Sequence, residues 1–314
     1  MKALVTGGAR FIASHVVDAY LAEGLDVVVV DDFSRGFIEN VNPRARFYDA
    51  DIRNYEAMRK IFETECPDYV NHHAAQMDLR RGVVEPVFDA EVNILGSIHL
   101  LNLAVEFKVK RVVYASSGGG VYGEPLQVPI REGHAVNPIT PYGISKHTVE
   151  HYLFTYNILY ALQYVVLRYG NVFGPRQSSK GEAGVVAIFC EQMLQNVTPK
   201  IFGDGTKTRD YIYVTDVARA NVQALQDGDQ EIFNIAFGKP TTDEEIFDAV
   251  RTALGIAPFK PHYVDKRPGE IEHCHLDVSK ARERLNWEPK VPVAEGVQLT
   301  ATYFKERFVR VAGA

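Results

Sequence analysis

The sequence predicts an α/β fold: a doubly wound parallel sheet with a smaller C-terminal α/β lobe. Three observations lead there. Over the first 170 residues, short apolar runs alternate with longer stretches of helical period, the pattern of repeated βαβ units. A glycine-containing turn follows the first apolar run directly. Beyond Asn171 the rhythm loosens into loops bearing Gly and Pro. In chain order, strands are expected near Lys2–Thr6, Asp26–Val30, Tyr69–His72, Arg111–Ala115 and Gln163–Arg168. Helices near Ile12–Ala22, Glu56–Thr64, Pro86–Phe107 and Pro141–Leu159 supply the crossovers that parallel strands require. Later helices are expected near Val185–Gln195, Val214–Gln226, Glu244–Leu254, Ser279–Leu285 and Ala294–Arg307. Glu231–Ile235 reads as a strand that returns to the main sheet, so the division is residues 1–170 plus that strand against residues 171–314.

Composition narrows the partners. A net charge of −6 and a pI near 5.9 give no general basic field, so nucleic acid is not an expected partner and any anion must be held locally. Cys66, Cys190 and Cys274 lie far apart without CxxC spacing, which fits reduced thiols in a cytoplasm rather than a disulfide framework or a cysteine zinc site. No apolar run approaches the 18 or so residues of a membrane span, and the opening one is too short for a signal peptide.

Leu4-Val5-Thr6 runs into Gly7-Gly8-Ala9-Arg10-Phe11-Ile12-Ala13 and then a helix. In this strand–turn–helix setting a glycine turn holds a dinucleotide pyrophosphate at a helix N-terminus, the Rossmann-type arrangement. Asp31, at the end of the second strand, is placed to accept from the adenosine ribose and would repel a 2′-phosphate, favouring NAD over NADP. Asp51 could meet the adenine edge. The pattern departs from GxxGxxG at two positions. Ala13 costs one methyl where helix and strand pack, whereas Arg10 replaces the glycine that admits phosphate or takes positive φ, where arginine is awkward.

Tyr142 and Lys146 form a YxxxK pair on one face of a helix. The strand Arg111–Ala115 delivers Ser116-Ser117 at its C-terminal end, where open α/β sheets place their sites. A lysine cation favours phenolate, so Tyr142 reads as a general base with Ser117 as proton relay.

Several separated motifs carry a resemblance. They read Val5-Thr6-Gly7-Gly8-Ala9, Asn71-His72-His73-Ala74-Ala75-Gln76, Ser116-Ser117 before Val121-Tyr122-Gly123, Thr140-Pro141-Tyr142 with Lys146, Leu167–Arg176, and Arg209-Asp210-Tyr211-Ile212-Tyr213-Val214. With them the chain resembles the extended short-chain dehydrogenase/reductase family, and within it the nucleotide-sugar 4-epimerases of the UDP-glucose (UDP-galactose) 4-epimerase type. The resemblance implies that Tyr142 takes the 4-hydroxyl proton while hydride passes from C4 to NAD, and that the turned keto sugar receives it on its other face. It assigns the NAD site to Gly7, Arg10, Phe11, Ile12, Asp31, Asp51, Ile52, Ala74, Ala75, Tyr142, Lys146 and Tyr169. It assigns the UDP-sugar site to Ser117, Asn171, Val185, Phe202, Arg209, Arg267 and Cys274, with Gly181–Val185 shaping the nucleotide pocket. It also implies a homodimer through the helices near 86–107 and 141–159.

Gly118-Gly119-Gly120 stands where related dehydratases carry an acidic pair, so dehydration is disfavoured. Cys274 is small where a gating residue is expected, which predicts tolerance of N-acetylated sugars. Arg80 and Arg81 keep a UDP-glucuronate 4-epimerase in play, and Arg10 keeps a non-catalytic nucleotide-sugar binder. From another class, His147-Thr148-Val149-Glu150-His151 matches the HxxEH pattern of a zinc hydrolase, without an identifiable third ligand.

Overall fold

A computed structural model describes residues 1–179, 184–266 and 271–312. The first half runs β1 (Lys2–Thr6), α1 (Phe11–Ala22), β2 (Asp26–Asp31), β3 (Arg46–Asp49), α2 (Tyr55–Glu65), β4 (Tyr69–His72), α3 (Leu79–Val84), α4 (Pro86–Ala90), α5 (Gly96–Glu106), β5 (Arg111–Ser117), α6 (Gly118–Val121), α7 (Pro141–Tyr160) and β6 (Gln163–Tyr169). It continues as β7 (Asn171–Phe173), α8 (Val185–Leu194), β8 (Lys200–Phe202), β9 (Thr208–Arg209), β10 (Tyr211–Tyr213), α9 (Val214–Gln223), β11 (Glu231–Ile235), β12 (Thr241–Thr242), α10 (Asp243–Ala253), β13 (His262–Val264), α11 (Ser279–Arg284) and α12 (Val293–Ala312).

Among the described residues, seven strands form one parallel sheet in the order β11-β6-β5-β4-β1-β2-β3. Both faces are covered, which is why its strands read as unbroken apolar runs. Along β2, Val27 and Val29 face a core with α1, α9 and α11, while Val28 and Val30 face one with α2, α5 and α7. A third core joins α8, α10 and α12 over Phe173, Tyr211 and Tyr213. The strand order reverses between β1 and β4, and a doubly wound sheet binds ligands at that switch point. Register aligns Thr6 with Val30 and His72, so Gly7, Asp31 and His73 leave the sheet side by side. Among the described residues no helix is long and apolar enough to cross a membrane.

Besides the short helices α3 and α6, which are not among the elements expected, the structure departs from expectation in three places. The run expected as one helix over Pro86–Phe107 contains a π-helical segment, Glu91–Leu95, between α4 and α5. There the Asn93 side chain accepts from Gln76 N at 2.7 Å and donates to Gln76 O at 2.8 Å, while Ser97 Oγ donates to Asn93 O at 2.6 Å. Side-chain competition of this kind loosens a helical ladder locally. β3, not among the strands expected, lies at the sheet edge, where two exposed charged residues flank two half-buried aromatics and no alternation shows. In the second half β7–β10, β12 and β13 pair as three two-stranded ribbons, each strand too short to show a period.

Candidate active site

The β1–α1 turn builds one wall of the site. Gly7 has φ +73°, and a Cβ there would come within 2.9 Å of the Ala74 nitrogen, so only glycine fits. The expected strain at Arg10 is absent, because its backbone is extended at φ −96°, ψ 171°. Its side chain crosses the crevice, donating from Nη1 to Ala75 O at 2.6 Å and from Nη2 to Ser34 Oγ at 2.8 Å. Ala13 is buried in the core, where its methyl is accommodated. Phe11 and Ile12 open α1, whose first turn has no side-chain cap, so their N–H groups face the crevice end of the helix. Asp31 accepts from Ala9 N at 3.1 Å and Phe33 N at 2.9 Å, one per oxygen, which leaves lone pairs for a ligand. Burial raises its carboxyl pKa, against the pull of Arg10. Gly7, Arg10, Asp31, Asp51, Ile52, Ala74 and Ala75 line one cavity of about 130 Å³. The Asp51 carboxylate there is gripped by Arg53 Nε, at 3.1 and 2.9 Å. Glycine turn, uncapped helix end and guanidinium supply donors and the strand-end carboxylate an acceptor, a set that suits a dinucleotide.

The second wall comes from β5 and α7. Thr140 caps α7, its Oγ1 accepting from Gly143 N at 3.1 Å, and Pro141 fits the first turn. Tyr142 and Lys146 therefore sit one turn apart on the same face. Ser117, at the end of β5, accepts from Gly120 N at 3.1 Å and hydrogen-bonds Tyr142. Lys146 is 3% exposed, donates from Nζ to Ala115 O at 2.7 Å, and lies 5.8 Å from the Tyr142 ring centroid. Burial pulls its ammonium down to about 7, against the raising fields of Asp89 and Glu150. Burial also pushes the Tyr142 phenol up to about 12, Asp89 adding to the effect and the Ser117 hydrogen bond opposing it. Asp89 went unremarked in the sequence. It is fully buried and accepts from Ser145 Oγ at 2.6 Å, next to Lys146 in the chain.

Ser117, Tyr142, Asn171, Arg209 and Cys274 line a cavity of about 400 Å³. Asn171, Val185, Phe202 and Arg209 line another of about 490 Å³. Met77 borders both the first and second cavities, so the three run in series. Arg209 is the only cation among the described residues of the middle cavity, and Arg81 lies in the first, paired with Glu85 at 3.0 Å. Gly119 also lines the middle cavity, and a Cβ there would meet nothing within 4 Å. Arg267 and residues 181–183 lie outside the described residues. Tyr169 is packed in the core, its hydroxyl accepting from Asn221 Nδ2 at 2.9 Å.

The HxxEH match is a different device. His147 Nε2 and His151 Nε2 are 3.1 Å apart, but Glu150 is bound by Arg168 Nε at 2.9 Å, Arg168 Nη2 at 2.5 Å and Ser116 Oγ at 2.6 Å. Among the described residues no group of three or more His, Cys, Asp or Glu is set to hold a metal.

Residues 3–236 match the NAD dependent epimerase/dehydratase family. The chain is 42% identical to the UDP-glucose 4-epimerase of Mycolicibacterium smegmatis, over 98% of its own length and 99% of the relative's. It superposes on the crystal structure of a Thermotoga maritima UDP-glucose 4-epimerase with UDP-glucose at TM-score 0.95, with 47% identity, covering 98% of this chain and 99% of that one. A Thermus thermophilus UDP-glucose 4-epimerase in complex with NAD gives TM-score 0.91 and 41% identity, covering 97% and 99%. Sequence and fold agree, and the chain belongs to the NAD dependent epimerase/dehydratase family.

Proposed function

We propose that the protein interconverts UDP-glucose and UDP-galactose by NAD-dependent epimerisation at C4. The observation that carries this is the middle cavity, where Ser117 and Tyr142, backed by Lys146, share walls with Asn171 and Arg209. Residues 1–170 with the 231–235 strand hold the cofactor, and residues 171–314 hold the UDP moiety. Gly7, Asp31 and the first-turn N–H groups of α1 are the residues that hold NAD, with Ala74, Ala75 and Ile52 beside them. NAD, when bound, supplies a hydride acceptor for C4 of the sugar and a donor for the return.

This chain's residues do the rest. Tyr142 accepts the 4-hydroxyl proton and later gives it back, Ser117 orients the exchange, and Lys146 supplies the positive charge that favours phenolate. Arg209 presents a planar fork to the diphosphate, and Asn171 stands beside it. The anchored nucleotide leaves the sugar ring free to turn over between two hydride transfers. Phe202 and Val185 supply the apolar side of the nucleotide pocket.

Cys274 leaves room in the sugar pocket, which supports acceptance of UDP-N-acetylhexosamines as well. A lone described cation there favours neutral hexoses over a uronate. Ile144, Phe154, Ile158 and Leu159 are exposed on α7, which supports pairing of two copies through that helix. Free thiols fit a cytoplasmic setting. The test is incubation with UDP-galactose and NAD, following the anomeric signals by NMR. Appearance of UDP-glucose is expected; a static spectrum with full nucleotide binding would overturn the reading in favour of a nucleotide-sugar binder.

A further inference from the structure

Arg10 stands where a dinucleotide loop ordinarily has no side chain, and its surroundings are those of a cation waiting for an anion. Its two terminal nitrogens donate to neutral acceptors, Ala75 O and Ser34 Oγ. The nearest carboxylate oxygen, from Asp32, is 3.9 Å away, and Nε is buried without a hydrogen-bond partner. The buried Arg168 also has one unpartnered nitrogen, Nη1, but its charge is matched by two Glu150 contacts at 2.5 and 2.9 Å, which Arg10 lacks. At Arg10 the guanidinium also lies beside the uncapped start of α1, and the Asp31 and Asp32 carboxylates offset these two sources of positive potential without a close pair to either terminal nitrogen. The crevice it crosses measures about 130 Å³, well under the roughly 300–1,000 Å³ of ligand pockets.

We infer that Arg10 is a latch and a clamp in one: it ties the crevice walls together through Ala75 and Ser34, and swings to pair with the diphosphate of the dinucleotide when that binds. The step is an exchange of hydrogen bonds in which neutral acceptors give way to a dianion, and a guanidinium–phosphate pair, charged on both sides and able to form two parallel bonds, is the stronger. The extended backbone at Arg10 lets the side chain turn without moving the loop. This rests on the NAD reading above and adds a contact that a glycine cannot make.

The test is calorimetric titration of wild type, Arg10→Ala and Arg10→Lys with adenosine, ADP and NAD at low and high salt. Arg10→Ala is expected to lose about 10- to 100-fold in affinity for ADP and NAD. Its binding should also depend less steeply on salt, while adenosine binds as well as before or better, because the latch is gone. Arg10→Lys should recover part of the loss, as a point charge without the fork. NAD affinity in Arg10→Ala equal to or above wild type would leave a plug without a clamp and overturn the inference. An equal loss for adenosine would also overturn it, by showing a merely structural role. If wild type binds neither ADP nor NAD, the cofactor reading itself falls, an outcome visible without any variant.

Discussion

Tyr142 can serve as a base only if something offsets the burial that holds its phenol near 12. Lys146, 5.8 Å from the ring centroid, is the cation placed to do so, and burial holds its own ammonium near 7. Removing the hydroxyl while keeping the ring isolates the chemistry. Tyr142→Phe is expected to lower kcat by about 10²–10⁴-fold while NAD affinity and KM for the UDP-sugar stay within a few-fold. Steady-state kinetics alongside NAD titration checks this. Lys146 gives a second expectation, on stability. The unfolded chain binds the lysine proton up to about 10.5 and the folded chain only to about 7, so the cost of the buried ammonium is full below 7 and fades as pH rises to 10.5. In the ligand-free protein, Lys146→Met should therefore exceed wild type in unfolding free energy by several kcal/mol below pH 7. The gap should close toward pH 10.5; a gap constant with pH in denaturant titrations would contradict the assignment. Tyr142 and Lys146 are legible in the sequence because a helix fixes their spacing. Asp89, whose field acts on both, is not, because only the fold brings it to Ser145. Arg10 misled for a related reason: a motif tells which residue is unusual, and only the backbone angle tells whether it is strained.

At the scale of elements, strands and helices that bury one clear face could be read in advance, and those defined by side-chain contacts could not. β2 is four consecutive valines between two cores, whereas β9 and β12 are two residues each and exist because Thr208 and Arg209 pair with Thr242 and Thr241. The π segment follows from Asn93 meeting Gln76, a contact across 17 positions. The clearest case is the joint between α7 and β6. Its HxxEH match is a helix secured to the sheet by Glu150, which Arg168 and Ser116 bind inside the core. These bonds hold the Glu150 carboxyl at about 2, although burial alone would raise it. Its contribution is therefore complete above the ordinary 4.5 and is lost as pH falls through about 2. Glu150→Gln keeps the shape and removes the charge, stranding the Arg168 guanidinium. It is expected to cost about 3–5 kcal/mol of unfolding free energy near neutrality. The variant should also lose the acid-unfolding component between 4.5 and 2. Urea titrations at neutral and acidic pH measure both.

Over the whole molecule, three cavities in series join the sheet, proposed to carry the chemistry, to the lobe, proposed to carry the anchor. Asn171 and Arg209 border both the middle and outer cavities, so a UDP-sugar lying along them contacts both halves at once. Such a ligand stabilises the folded chain in proportion to the logarithm of its saturation, by about 2.7 kcal/mol at a hundred times Kd. UDP alone should deliver most of this, since the proposed anchor is the fork that Arg209 presents to the diphosphate and not the reacting sugar. Arg209 is half-buried and held in the lobe by Nη1 donating to the backbone carbonyls of Thr208 at 2.8 Å and Glu272 at 3.5 Å, with no hydrogen bond to a core side chain among the described residues. Arg209→Ala is therefore expected to unfold at nearly the wild-type temperature without ligand and to lose most of the rise in Tm that UDP gives. The rise given by NAD should stay intact, because the cavity at the sheet does not include Arg209. Thermal unfolding with UDP, NAD and both checks the division. If the variant loses the NAD response together with the UDP response, the two ends of the crevice are one cooperative unit, and the anchor cannot be assigned to the lobe.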